Sequence, residues 1–223
     1  MTNQFIAARI KALREERRLS QDQLARQLGF KDRQTLSAIE TGERRLSAEE
    51  LLLILERLGT TFDDFTDPFA LAGEGKFSWR QSSAGSADLV AFERRAGRWI
   101  AAFRTLAPQV NRATPLLRQR LPLTRRHRFE DAMAAGERFA ADFELGDPPA
   151  LRLREVMESK LGILVLMVDS LAGVSGAACR LAELDAIMIN RQEIAGRRNF
   201  DLAHELFHIL TWDVMPPEPS EET

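Results

Sequence analysis

His204, Glu205 and His208 are the residues whose types and spacing could do chemistry together. On a helix, positions four apart share a face, so the two imidazoles can each offer a nitrogen to one ion. A carboxylate beside the first of two histidines so spaced is placed to take a proton from a metal-bound water. Glu205 is therefore the candidate catalytic base, and His204 and His208 are candidate zinc ligands. A blander reading stands beside this one, in which both histidines are satisfied core residues of a helix that is apolar nearly all round. Leu202, Ala203, Leu206, Phe207, Ile209 and Leu210 would make it so. Burying two imidazoles and a carboxylate without partners costs roughly a few kcal/mol per group, a cost that a metal removes.

Elements that could hold this helix lie just before it. Ala150 to Leu161 has the apolar spacing of a helix, and Gly162–Val168 reads as a buried strand. Ala178–Leu181 reads as a weaker strand, Ala186–Asn190 as a third, and Arg197 as the start of the histidine helix. A strand leading directly into such a helix, inside a mixed layer, is a zincin-like arrangement. An exposed strand edge there could bind a peptide backbone by strand addition.

With 44% hydrophobic and 29% charged residues, the 223-residue composition is that of a soluble globular protein. The amino terminus lacks a signal peptide's apolar segment, and no apolar run reaches the length of a membrane span, so a cytoplasmic protein with no membrane partner is expected. The single Cys179 cannot form an internal disulfide and reads as a small buried hydrophobe. The net charge of −2 conceals −2 over residues 1–75, +9 over 76–130 and −9 over 131–223. Arg118, Arg120, Arg125, Arg126 and Arg128 in the basic block either contact DNA phosphates or pack against the acidic third segment, and the opposed charges favour packing.

From Gln4 to Phe65, apolar residues recur at helical spacing in four short segments. Ser20 is a natural N-cap, Ser47 with Glu50 a capping box, and Gly29, Gly42 and Gly59 are terminators. A compact bundle built on a helix-turn-helix is expected over residues 1–66. A linker over 67–87 follows, marked by Pro68, Gly73 and Gly75, then a helical connecting region over 88–149 and a further domain over 150–223. The expected fold class is mainly α with a small α+β part, the last domain being a partial zincin-like one with a small sheet.

Ser20-Gln21-Asp22-Gln23-Leu24-Ala25-Arg26-Gln27-Leu28-Gly29 and Thr35-Leu36-Ser37-Ala38-Ile39-Glu40-Thr41-Gly42-Glu43-Arg44-Arg45 resemble the lambda-repressor-like helix-turn-helix of the XRE-family regulators. Phe30-Lys31-Asp32 makes the turn one residue longer than the commonest form. A recognition helix from Asp32 to Thr41 would present Arg33, Gln34 and Ser37 to base edges in the major groove. Gln21, Arg44 and Arg45 would contact phosphates, which position the protein without specifying sequence. The alternative is a polar helix face in a protein-binding module. The resemblance implies a double-stranded DNA operator and a homodimer.

Ile187-Met188-Ile189-Asn190 followed by Arg197-Arg198-Asn199-Phe200-Asp201-Leu202-Ala203-His204-Glu205-Leu206-Phe207-His208 resembles the ImmA/IrrE-type metallopeptidases. That resemblance implies His204 and His208 as zinc ligands, Glu205 as the base, and a third, acidic ligand on a later helix. Members joined to an XRE domain resemble regulators that cleave repressors or work beside toxins as antitoxins. Here three prolines in Pro216-Pro217-Glu218-Pro219 stop the helix, leaving Glu218, Glu221 or Glu222 to complete the site only if the tail folds back. The expectation is a chain truncated after the histidine helix. Such a chain would bind DNA but bind zinc weakly and show no peptidase activity. The functions expected are a DNA-binding transcription regulator whose metallopeptidase-like domain cleaves a regulatory protein or senses a signal, a non-catalytic sensor or repressor with an incomplete metal site, or an antitoxin.

Overall fold

A computed structural model describes residues 3–71, 74–81, 86–112, 114–124, 126–215 and 220–222. Contacts divide the chain into two units, Met1–Gly75 with Gly97–Ala102, and Lys76–Ala96 with Phe103–Thr223. The architecture is mainly α with a small mixed sheet. Among the described residues no helix is long and apolar enough to cross a membrane.

In the first unit, α1 (Asn3–Glu16), α2 (Gln21–Gln27), α3 (Arg33–Glu40), α4 (Ala48–Leu58) and α5 (Phe62–Thr66) bury Ile10, Leu24, Leu36, Ile39, Ile54, Leu58 and Phe65 in one core. Local sequence sets their ends. Ser20 caps α2 in a capping box with Gln23, and Ser47 caps α4 in one with Glu50. Gly29 takes a left-handed φ of 71°, which lets Phe30 N–H reach back to Ala25 C=O at 2.9 Å and turns the chain toward α3. Arg9 is fully buried. Its guanidinium donates to the carbonyls of Phe65, Asp67 and Ala70 and lies 3.4 Å from Glu74. The beginning of the expected linker is thus bound to α1 rather than loose, because buried guanidinium donors need acceptors and the carbonyls past α5 supply them.

The second unit contains β1 (Lys76–Gln81), α6 (Ser86–Leu106) apart from its Gly97–Ala102 stretch, a 3-10 turn (Ala107–Val110), α7 (Phe129–Asp142), α8 (Ala150–Ser159), β2 (Leu164–Val168), β3 (Val174–Arg180), β4 (Asp185–Asn190), α9 (Ala195–Thr211) and β5 (Ser220–Glu222). The sheet runs β2-β4-β3-β1-β5, with β2 parallel to β4, β5 parallel to β1, and antiparallel pairing of β4 with β3 and of β3 with β1. Two of these strands correct the sequence reading. β1 falls inside the expected linker, where Phe77 and Trp79 alternate with polar residues; Trp79 is buried, stacks on Phe77 and meets the edge of Phe92. The tail, expected to remain unpaired, returns as β5, with Ser220, Glu221 and Glu222 in register with Trp79, Arg80 and Gln81. An unsatisfied strand edge offers backbone hydrogen bonds that need no apolar pattern in the segment joining it.

One face of the sheet, through Val165, Ala178, Ile187 and Ile189, packs on α8 and α9 in the larger core of this unit. Gly162, at a left-handed φ of 69° ahead of β2, lies against the segment joining α6 to α7. A Cβ there would sit 2.5 Å from Pro115 O. Gly162→Ala is expected to destabilise the protein by about 1–3 kcal/mol from backbone strain alone. Urea denaturation measures this, and a midpoint equal to wild type would contradict the close approach.

Candidate nucleic-acid interface and metal centre

α3 begins where its N-cap permits. Asp32 Oδ1 accepts from Thr35 N–H at 2.9 Å and from Thr35 Oγ1 at 3.2 Å, which leaves Arg33 and Gln34 exposed on the first turn. Arg33, Gln34 and Ser37 line a groove of about 360 Å³ together with Gln21, Ala38 and Glu43. Three expected base-reading residues and one expected phosphate contact therefore meet on one surface. Behind it is a network that the sequence reading missed. Glu40 accepts from Arg14 Nε at 2.6 Å and Nη2 at 3.0 Å, and from Gln21 Nε2 at 2.9 Å. Hydrogen bonding to Glu40 is the main cause of a raised pKa at Arg14. The buried pair joins α1 to α3, and Gln21 is oriented through it.

α9 starts two residues earlier than expected, at Ala195. Its inward face carries Asp201, Glu205, His208 and Thr211, all buried, while Phe200 is 56% and Phe207 37% exposed and Ala203 is exposed between them. The expectation of a helix buried all round is corrected, since packing on the sheet covers only the inward stripe. His204 is half-buried, and its Nε2 lies 2.9 Å from His208 Nε2, with the rings nearly perpendicular. That is hydrogen-bond distance between the two rings, a few tenths of an ångström short of the about 3.3 Å between two zinc-bound imidazole nitrogens at tetrahedral geometry, so both nitrogens point to the region a shared ion would occupy. Among the described residues no third histidine, cysteine or carboxylate joins them. Glu218 and the side chains of Glu221 and Glu222 lie outside the described residues. Glu205 is 1% exposed and is accommodated by the absence of a side chain on β3, for a Cβ on Gly176 would lie 2.9 Å from its Oε1. Gly176 is a further residue that sequence reasoning missed; its only signal is a glycine inside a strand.

Residues 10–65 match the helix-turn-helix family model. This segment is a helix-turn-helix domain. Neither the curated proteins nor the solved structures contain a match to the chain. The helix-turn-helix is a DNA-binding part of transcription regulators, and the second helix of the motif, the one that docks in the major groove in the well-known examples, corresponds by its order to α3.

Within the helix-turn-helix domain the two arginines after α3 differ. Arg44 Nη2 and Nη1 lie 2.7 and 3.1 Å from the Glu50 carboxylate, whereas Arg45 is exposed and has no ion pair among the described residues. Hydrogen bonding to Glu50 raises the pKa of Arg44, and the same contact holds Glu50 below the usual carboxylate range. Arg45→Ala is therefore expected to weaken all DNA about equally and to flatten the salt slope of binding by about one unit. Arg44→Ala should flatten it less, because Arg44 must leave Glu50 to reach a phosphate. Equal slopes for the two variants would remove the distinction.

The basic middle also finds partners in its own unit. Arg118 Nη2 lies 3.1 Å from Asp185 Oδ1, and Arg120 lies 2.8 Å from Asp213. Arg126 and Arg128 are exposed, and Arg125 is outside the described residues. For Arg118 and Arg120, packing against the acidic third segment is the observed arrangement.

Proposed function

We propose that this protein is a transcription regulator that reads a DNA operator as a homodimer through α3, and that its second unit is a metallopeptidase-like domain used for sensing rather than cleavage. The observation carrying the DNA reading is the single groove lined by Arg33, Gln34, Ser37 and Gln21. Arg33 would pair bidentately with guanine and Gln34 with adenine, Glu43 would accept from cytosine, and Gln21 and Arg45 would fix register on phosphates. Two-fold pairing of such domains reads two half-sites about one helical turn apart.

For the second unit, the strand-then-helix order and the Ala-His-Glu-Leu-Phe-His run favour an ImmA/IrrE-like ancestry, and the convergent Nε2 atoms of His204 and His208 favour zinc. Zinc, when bound, would supply Lewis acidity and a fixed positive charge. The chain's own contribution is to orient the two imidazoles from one helix and to seat the Glu205 carboxylate against Gly176. Turnover would need a third protein ligand and an open position on the zinc, as catalytic zinc sites ordinarily have. The second reading, a working peptidase with Glu205 as base and a repressor or toxin as its protein partner, is favoured by the motif itself.

Selection of bound sequences from a random DNA pool, repeated with and without added zinc, tests the proposal. The expected result is enrichment of a two-fold symmetric sequence whose affinity changes with zinc while the protein and an unfolded test substrate stay intact. Failure to enrich any sequence would sink the operator reading. Zinc-dependent cleavage abolished by Glu205→Ala would replace sensing with proteolysis.

A further inference from the structure

We infer that the second unit holds a binding site for a small organic carboxylate with a hydrocarbon tail, in a cavity at the far end of α6. The site stands independently of the operator and metal readings, since neither α3 nor α9 contributes to its lining. The cavity measures about 530 Å³, within the range of roughly 300–1,000 Å³ usual for small-molecule sites. Around it meet the end of α6 with the turn that follows, the segment at Arg112 and Thr114, the end of α8 with the approach to β2, and the connection between β3 and β4. Its inner wall is apolar, for Ala107, Ile163, Leu164 and Leu184 are all buried and Phe103 adds a half-buried ring. Backbone contacts fix that wall. Leu117 N–H donates to Leu161 C=O at 2.9 Å, and Gly162 lies so close to Pro115 that a Cβ would sit 2.5 Å from its carbonyl oxygen. The cavity is preformed, so a ligand has little to order on entering.

The charges of the lining decide which polar group such a ligand carries. Arg112, Thr114 and Glu183 are exposed, Glu158 is partly so, and the Arg104 side chain is 11% exposed. Arg104 Nη1 lies 3.4 Å from Glu183 Oε1, and Glu158 Oε1 lies 3.2 Å from Nε of Arg154, outside the lining. With Arg104 set against Glu183 and Arg154 against Glu158, an excess of one positive charge falls on Arg112. A carboxylate matches that excess, because a guanidinium offers parallel N–H donors to its two oxygens and the Thr114 hydroxyl can donate beside them. A doubly charged phosphate would bring a second negative charge toward the two glutamates, and an amine would meet like charge at Arg112. The hydrocarbon tail would replace water along Ile163, Leu164 and Leu184.

Titration of the full-length protein with butanoate, hexanoate and octanoate by isothermal calorimetry tests this, with octanamide as the uncharged counterpart of octanoate. The expected outcome is one ligand per chain, tighter binding as the tail lengthens, and affinity about tenfold weaker for octanamide than for octanoate. Arg112→Gln should remove the preference for octanoate while leaving octanamide binding in place. Arg138→Gln, at an exposed arginine of α7 outside the lining, should leave both affinities unchanged. Amide resonances of Gly162, Ile163 and Leu164 should shift on adding octanoate to the wild type, which locates the ligand without any variant. No binding of any of the carboxylates at millimolar concentration would overturn the site. Shifts confined to the first unit would overturn its location. Equal affinity for octanoate and octanamide, or a preference that survives in Arg112→Gln, would overturn the carboxylate assignment. Each of these results leaves operator selection and zinc retention to be decided by their own measurements.

Discussion

Replacing Arg33 and Gln34 together by alanine is expected to abolish most of the discrimination between the selected operator and random DNA while leaving non-specific binding in place. Both side chains are exposed on the first turn of α3, with the N-cap at Asp32 fixing where that turn begins. A bidentate pairing with a base edge is worth about 1–3 kcal/mol of discrimination, so each residue accounts for roughly a 5- to 150-fold preference. Non-specific affinity comes from phosphate neutralisation, for which the exposed Arg45 is the proposed source in this domain. Competition binding at fixed salt, operator against random duplex, measures the ratio. Wild-type preference in the double variant would mean that α3 is not the reading helix.

Asp185→Ala should be the most destabilising single change among those considered. Asp185 is 1% exposed at the start of β4, held by Arg180 Nε at 3.0 Å and Nη2 at 3.1 Å and by Arg118 Nη2 at 3.1 Å. Arg180 also donates to Ile209 C=O at 2.9 Å, and its guanidinium lies 5.2 Å over the ring of Trp212, so the cluster fixes the carboxy-terminal end of the histidine helix. Removing the carboxylate leaves two guanidinium groups facing each other with their shared anion gone. Breaking a buried pair in this way costs about 3–5 kcal/mol. At about 2–4 °C per kcal/mol for a chain of this size, the melting temperature should fall by roughly 10 °C. Arg118→Ala should cost less, since its side chain is one-third exposed, and should leave the salt slope of DNA binding unchanged. A melting temperature equal to wild type for Asp185→Ala, or a lowered salt slope for Arg118→Ala, would contradict this assignment of the basic middle.

What the amino-acid order determined by itself is whatever depends on residues a few positions apart. The caps at Ser20 and Ser47, the stops at Gly29 and Gly59, the buried stripe through Leu24, Leu36 and Ile39, and the i, i+4 approach of His204 to His208 are all local, because helix geometry alone carries one residue to the other. Base-reading candidates on α3 were legible for the same reason. Tertiary structure decided the rest. Phe77 and Trp79 form a strand because β3 offers an edge nearly a hundred residues away, and the acidic tail pairs with β1 because that strand offers another. Likewise, whether Arg118 meets a phosphate or Asp185, and whether Phe200 and Phe207 are core or surface, turns on which elements arrive beside them. Spacing along the chain cannot specify such meetings, since burial and ion pairing depend on distance in space and not on distance in sequence.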